Sequence, residues 1–126
     1  MNRYILHILI VDDNSSSILF FQEFLTGFNH KIHCASNGLQ ALNIMNTTNI
    51  DLVFIDIEMP VMNGIEATEK IRKMNKDLPV IACTAYIDFV NPNKLFNDVI
   101  YKPSKLSDIS NIIHKVIQSK MFCLQF

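Results

Sequence analysis

Short unbroken apolar runs alternate along this chain with longer segments in which apolar residues recur every three or four positions. The runs cover residues 5–11, broken only by His7, residues 52–55 and residues 79–83. Their length, their β-branched content and the turn residues around them suit strands buried on both faces. Lys31 to Ala35 and Asp98 to Tyr101 predict two shorter strands. Between the strands, Ile18, Phe21, Phe24, Leu25 and Phe28 mark one face of a first helix, capped by Asn14 and the serines after it and stopping near Gly27. Asn37-Gly38 opens a second helix, with Leu39, Leu42 and Met45 at every third position. A third runs from about Gly64 to Met74, with Ile65 and Ile71 inward and Glu66, Glu69, Lys70 and Lys73 outward. The last has the clearest stripe: Ile109, Ile112, Ile113, Val116 and Ile117.

Strands that alternate with helices predict a parallel sheet covered by helices on both faces. Five strands in 126 residues favour a flavodoxin-like doubly wound α/β fold of strand order 2-1-3-4-5, with its switch point between strands one and three. The segment before the fifth strand is irregular. Pro92 would break a helix over residues 87–97. Asn91-Pro92 is therefore expected to start a stub, leaving a shortened fourth helix and a loop over residues 85–90.

Polar residues collect at the predicted strand ends. Asp12 and Asp13 follow strand one, Asp56 ends strand three, Thr84 ends strand four and Lys102 follows strand five. In a doubly wound sheet all five share one rim. At about 4 Å and an effective dielectric of 20, each close carboxylate pair costs about 4 kcal/mol before screening, so the cluster calls for a cation. Carboxylates with water and a backbone carbonyl suit Mg²⁺, for which Mn²⁺ could substitute. With the Lys102 ammonium and the Thr84 hydroxyl added, the set forms a phosphoryl-transfer site in which Asp56 is the nucleophile. Taken singly, Thr84 is an ordinary strand-end residue, Lys102 a solvated lysine, and Asp12-Asp13 a helix cap. Only their convergence carries the chemical reading.

Composition narrows the classes. The chain suits one domain, residues 1–126, with a core over about 5–119 and an apolar tail over 120–126. No run approaches membrane-spanning length, and the first lacks a small-residue cleavage site, so neither a membrane segment nor a signal peptide is expected. A net charge of −1 argues against a broadly basic nucleic-acid surface. Cys34, Cys83 and Cys123, odd in number and scattered, read as reduced thiols of a cytoplasmic protein. His7, His30, His33 and His114 lack metal-ligand spacing and are expected to be structural or surface groups.

The runs Ile-Leu-Ile-Val-Asp-Asp-Asn, Asp-Leu-Val-Phe-Ile-Asp-Ile-Glu-Met-Pro-Val-Met-Asn-Gly-Ile-Glu-Ala-Thr, Pro-Val-Ile-Ala-Cys-Thr-Ala and Tyr-Lys-Pro resemble the receiver domain of two-component response regulators, particularly receivers attached to hybrid sensor kinases. The resemblance spans residues 5–117. It implies that Asp56 accepts a phosphoryl group from a histidine kinase or histidine phosphotransfer protein. It also implies that Asp13, Asp56 and the Glu58 backbone carbonyl bind Mg²⁺ directly, with Asp12 acting largely through water. Thr84 and Lys102 would contact the phosphoryl group, and Lys102-Pro103 would be a cis peptide. The expectation is a stand-alone receiver with no direct nucleic-acid partner. It would assist its own phosphorylation and dephosphorylation without being a conventional turnover enzyme, and a homodimer is left open.

Some positions depart from that pattern. The connection from Thr84 to Lys102 is about one helical turn, roughly four residues, shorter than the family's. Val99 stands where the family's switch aromatic tends to sit, with Tyr101 two residues on and on the same strand face. An atypical response is expected there. Glu58 and Tyr86 occupy positions that tune aspartyl-phosphate lifetime in the family. Three other readings compete. A haloacid-dehalogenase-like phosphatase would want an aspartate at position 58, and a flavodoxin would want a neutral hydroxyl-rich loop in place of Asp12-Asp13. The third is a receiver-shaped interaction module that is never phosphorylated.

Overall fold

In the computed structural model the described residues are 4–124. In chain order they form β1 (His7–Val11), α1 (Ser15–Thr26), β2 (Lys31–Ala35), α2 (Gly38–Thr47), β3 (Leu52–Asp56), α3 (Gly64–Met74), β4 (Val80–Thr84), β5 (Asp98–Tyr101) and α4 (Leu106–Leu124), with a single 3₁₀ turn, Pro92–Lys94, between β4 and β5. All five strands are parallel in the order β2-β1-β3-β4-β5, as expected from their alternation with helices.

The period-two alternation of each strand divides the core in two. Ile8, Ile10, Leu52, Phe54, Ile81, Cys83 and Ile100 face α1 and α4, where Phe21, Leu25, Ile109, Ile112, Ile113 and Val116 meet them. Leu9, Val11, Val53, Ile55, Val80 and Ala82 face α2 and α3, meeting Ala41, Ala67 and Ile71. Each large side chain so buried contributes about 1.5–3 kcal/mol, so β1, β3 and β4, apolar on both faces, hold the frame. Register fixes what sits at the rim. Val11 pairs with Ile55, Asp56 with Cys83 and Thr84 with Tyr101, so the strands end almost level.

Several expectations are corrected. β1 begins at His7 rather than residue 5; Ile5 is exposed, while the Leu6 backbone N–H donates to His30 Nδ1 at 3.1 Å instead of joining the sheet. On α2 Leu42 and Met45 pack half-buried against the core as expected, but Leu39 is exposed and the fully buried residues are Gly38 and Ala41. The helix packs there through a missing side chain: a Cβ at Gly38 would lie 2.8 Å from Ala67 Cβ and 2.9 Å from the Met62 carbonyl oxygen. Phe28, expected on the inner face of α1, is exposed and leans on Phe24, ring centroids 5.2 Å apart.

The expected tail is a continuation of α4 as far as Leu124, held by Lys120 Nζ at 2.9 Å from Asp51 Oδ1, with Met121 and Phe122 exposed. Gln125 and Phe126 lie outside the described residues. The shortened fourth helix is reduced to the 3₁₀ turn, because Asn93 and Lys94 take positive φ of 51° and 56° and end any helical course. Asn91 opens that turn without capping it; its amide instead grips the Phe96 backbone, donating to the carbonyl at 2.8 Å and accepting from the N–H at 3.0 Å.

Candidate functional site

The carboxyl ends of β1, β3, β4 and β5 bring the expected residues together. Asp12, the residue after β1, is buried; its Oδ1 accepts from the Asn14 N–H at 2.9 Å. Asn14 in turn caps α1, accepting from Ser16 and Ser17 N–H at 2.8 and 3.3 Å. This chain of short-range bonds ties the Asp12 carboxylate to the start of the helix. Asp13 is exposed at the mouth. Asp56 ends β3 in a buried position, and its Oδ1 accepts from the Glu58 N–H at 3.3 Å.

Asp56 owes its position to Gly64. The first residue of α3 donates its N–H to the Ile57 carbonyl at 2.9 Å, and a Cβ there would lie 2.9 Å from Ile57 Cα and run into the Asp56 carbonyl oxygen. Only glycine lets the helix start so close to the strand end. In the sequence Gly64 marks only a helix boundary, and this close approach is not visible there. The available signal was a glycine at the first helical position, directly after an Asn63 cap that accepts from the Glu66 N–H at 2.9 Å.

Lys102 reaches in from the end of β5. Its Nζ lies 3.1 Å from Asp12 Oδ2 and 3.3 Å from Asp56 Oδ2, its own N–H donates to the Thr84 carbonyl at 2.7 Å, and the Lys102-Pro103 peptide is cis. Thr84 is buried, with its hydroxyl oxygen accepting from the Tyr86 N–H at 3.1 Å. Glu58 and Tyr86 are exposed on the rim. The histidines stay outside this site. His7 Nδ1 and His33 Nε2 sit 3.0 Å apart on neighbouring strands, a pairing that chain spacing did not reveal.

Burial raises the Asp56 pKa, and the Lys102 charge pulls against it while the Asp12 charge adds to it. For Lys102 burial acts downward, but its hydrogen bond to Asp12 and the charges of Asp12 and Asp56 outweigh it and hold the ammonium above its ordinary value. Cys83, beside Asp56 in register, is pushed up to about 12, chiefly by burial, and is no nucleophile.

Asp12, Asp13 and Asp56 each offer an oxygen, all within 4.8 Å of one another. Three carboxylates facing one ammonium leave the site net negative in a partly desolvated crevice. That donor set, all hard oxygen, fits a divalent cation of the Mg²⁺ type. The disposition also leaves an Asp56 oxygen reachable from the rim beside a lysine and a hydroxyl, an arrangement suited to receiving a phosphoryl group.

The fold and site define a signalling receiver, and the chain belongs to the response regulator receiver domain family, whose sequence profile matches residues 8–114. The chain spans a quarter or less of the length of most curated relatives it matches. The transcriptional regulatory protein ZraR of Klebsiella oxytoca is 42% identical over 79 residues, which cover 63% of this chain and 18% of that protein. Sporulation initiation phosphotransferase F of Bacillus subtilis is 31% identical over 117 residues, covering 90% of this chain and 94% of that protein. Among solved structures, the response regulator protein TrrA of Thermotoga maritima, in complex with Mg²⁺–BeF, superposes with a TM-score of 0.82 at 31% identity, covering 89% of this chain and 99% of that one. The chain thus carries a receiver domain of the two-component signalling type. No helix among the described residues is long and apolar enough to cross a membrane.

Proposed function

We propose that this chain is a Mg²⁺-dependent phosphoacceptor that takes a phosphoryl group on Asp56 from the phosphohistidine of a histidine kinase or histidine phosphotransfer protein. The observation that carries this reading is the Lys102 ammonium held between Asp12 and Asp56, with an Asp13 oxygen within 4.8 Å of theirs. An Asp56 carboxylate oxygen forms the O–P bond as the P–N bond of the donor breaks and the imidazole leaves. Lys102 turns from the carboxylates to the equatorial oxygens of the arriving group, and the Thr84 hydroxyl donates to another. Asp12, Asp13, Asp56 and the Glu58 carbonyl would hold the cation, which supplies charge neutralisation for the transferred group. Mn²⁺ offers the same oxygen-seeking chemistry. The protein assists gain and loss of its own phosphoryl group and turns over no separate substrate. The likeness to sporulation initiation phosphotransferase F over nearly its whole length supports a role in passing the group onward. The reading includes a cytoplasmic location, consistent with three free cysteines among the described residues.

A second reading, a receiver-shaped interaction module, is favoured by one feature: no α-helix forms between β4 and β5. Intact mass after incubation with acetyl phosphate and Mg²⁺, beside Asp56→Asn, separates the two. Gain of one phosphoryl group by the wild type alone is the expected result. No gain, with candidate kinases also tried, overturns the phosphoacceptor reading in favour of the module.

A further inference from the structure

We infer that occupancy of Asp56 moves only residues 85–88, because the β4–β5 connection beyond them is pinned to itself, to β4 and to α3. The inference rests on the phosphoacceptor reading for its trigger and on the hydrogen bonds of the connection for its reach. Thr84 forms the site wall, and its hydroxyl oxygen accepts the Tyr86 N–H at 3.1 Å. A hydroxyl has one proton to donate and two lone pairs to accept with, so Thr84 can donate to a phosphoryl oxygen while it still accepts from Tyr86, and a Thr84 side chain drawn toward that oxygen carries the Tyr86 backbone with it. That bond links the site directly to the segment that follows.

Residues 85 to 88 are all exposed, Ile87 at 85%, so little packing resists their displacement. Phe89 is where packing resumes. It is half-buried on the α3 side of the core, with its ring centroid 6.0 Å from that of buried Phe96. Beyond it the backbone is held at three points. Asn91 makes its two bonds to the Phe96 backbone at 2.8 and 3.0 Å. Asn97 Oδ1 accepts from the Val80 N–H at 2.8 Å, and its own N–H donates to the Val80 carbonyl at 2.9 Å.

Arg72 of α3 makes the third clamp, donating from Nε to the Leu95 carbonyl at 3.0 Å, from one terminal nitrogen to Asn97 Oδ1 at 2.7 Å and from the other to the Leu78 carbonyl at 2.5 Å. Bonds from a planar guanidinium are charge-assisted and fixed in direction, so this fork resists both sliding and rotation. On β5, Val99 packs against the same core with a stiff β-branched side chain, and Tyr101 is already exposed. Neither offers a buried aromatic ring to swing. The segment that leaves the site is therefore a short flap on a rigid base.

Amide NMR shifts and hydrogen exchange, with and without Mg²⁺ plus beryllofluoride as the phosphoryl probe, test this. Ile57 and Glu58 amides report that the probe has bound. The expected result is that residues 85–88 then shift, while Phe96 and Asn97 change no more than α2 does. In Arg72→Gln the change is expected to spread into residues 95–98, and exchange at Asn97 in the probe-free protein to quicken by about tenfold or more. Asn91→Ala is an independent variant, expected to speed exchange at Phe96 without altering the Ile57 and Glu58 response. Wild-type shifts in residues 95–98 as large as those in 85–88 overturn the inference, as does a silent flap while Ile57 and Glu58 respond. Silence at Ile57 and Glu58 instead refutes the phosphoacceptor reading. Unprotected Phe96 and Asn97 amides in the probe-free protein refute the pinned base whatever the probe does.

Discussion

Val61 lies between Asp56 and α3 with φ of 71°, and the Met62 N–H donates back to the Pro60 carbonyl at 2.8 Å, closing a three-residue γ-turn of the positive-φ kind. A β-branched residue in that conformation is strained by about 1–3 kcal/mol, and at 78% exposure Val61 recovers little by packing. Glycine would relieve the strain at a cost of roughly 0.5–1 kcal/mol in chain entropy. Val61→Gly is therefore expected to stabilise the protein by about 1 kcal/mol, read from the urea midpoint at unchanged m-value. The histidines give a second expectation at this scale. Burial holds His30 below its ordinary pKa of 6.5, and burial and then the His7 charge do the same for His33. His30 Nδ1 must stay unprotonated to accept from the Leu6 N–H. Below about pH 6.5 the unfolded chain thus binds more protons than the folded one. Their stability is complete above that pH and is lost as pH falls through it toward the lower folded values. The urea midpoint should drop between pH 7.5 and 5.5, and drop less in His33→Asn.

Among the elements, the contact of α3 with the end of β3 sets the site geometry. Gly64→Ala gains up to about 1 kcal/mol of helix propensity, yet the new methyl meets backbone on two sides and neither side is a flexible side chain. The collision wins. The variant is expected to lose about 3 kcal/mol of stability by thermal or urea unfolding, and Asp56 to be phosphorylated more slowly as the strand end is pushed away. The apolar stripe of α4 was legible in the chain because every inward position carries a large aliphatic residue. That of α2 was legible only in part, for Leu42 and Met45 pack on the core but Leu39 does not. Its helix approaches α3 through Gly38 and Ala41, and small residues leave no hydrophobic signal even where they are packed most closely.

For the molecule as a whole, the sheet is a partition between two apolar half-cores, and three carboxylates gather at one rim of it. Cation binding to that rim should then be linked to global unfolding. At a Mg²⁺ concentration ten times the dissociation constant, the folded state is expected to gain about 1.4 kcal/mol. The unfolding midpoint should rise accordingly in Mg²⁺ over chelator, and Asp13→Asn should abolish most of the rise. Asp13 is the apt probe because it is the exposed member of the cluster, so its loss leaves the buried Asp12–Lys102–Asp56 contacts in place.

The strand order and the five polar strand ends could be read from the chain because both follow from short-range pattern. Unbroken apolar runs make strands buried on both faces, intervening helices force parallel crossovers, and a polar residue ending such a run must lie at the rim. What no local pattern contains is distance across the fold. The approach of Gly64 to the Asp56 backbone, the Arg72 fork on Leu95 and Asn97, and the His7–His33 contact join residues from different elements. Their partners are set by register and helix docking, and these are decided only when both half-cores close together on the sheet.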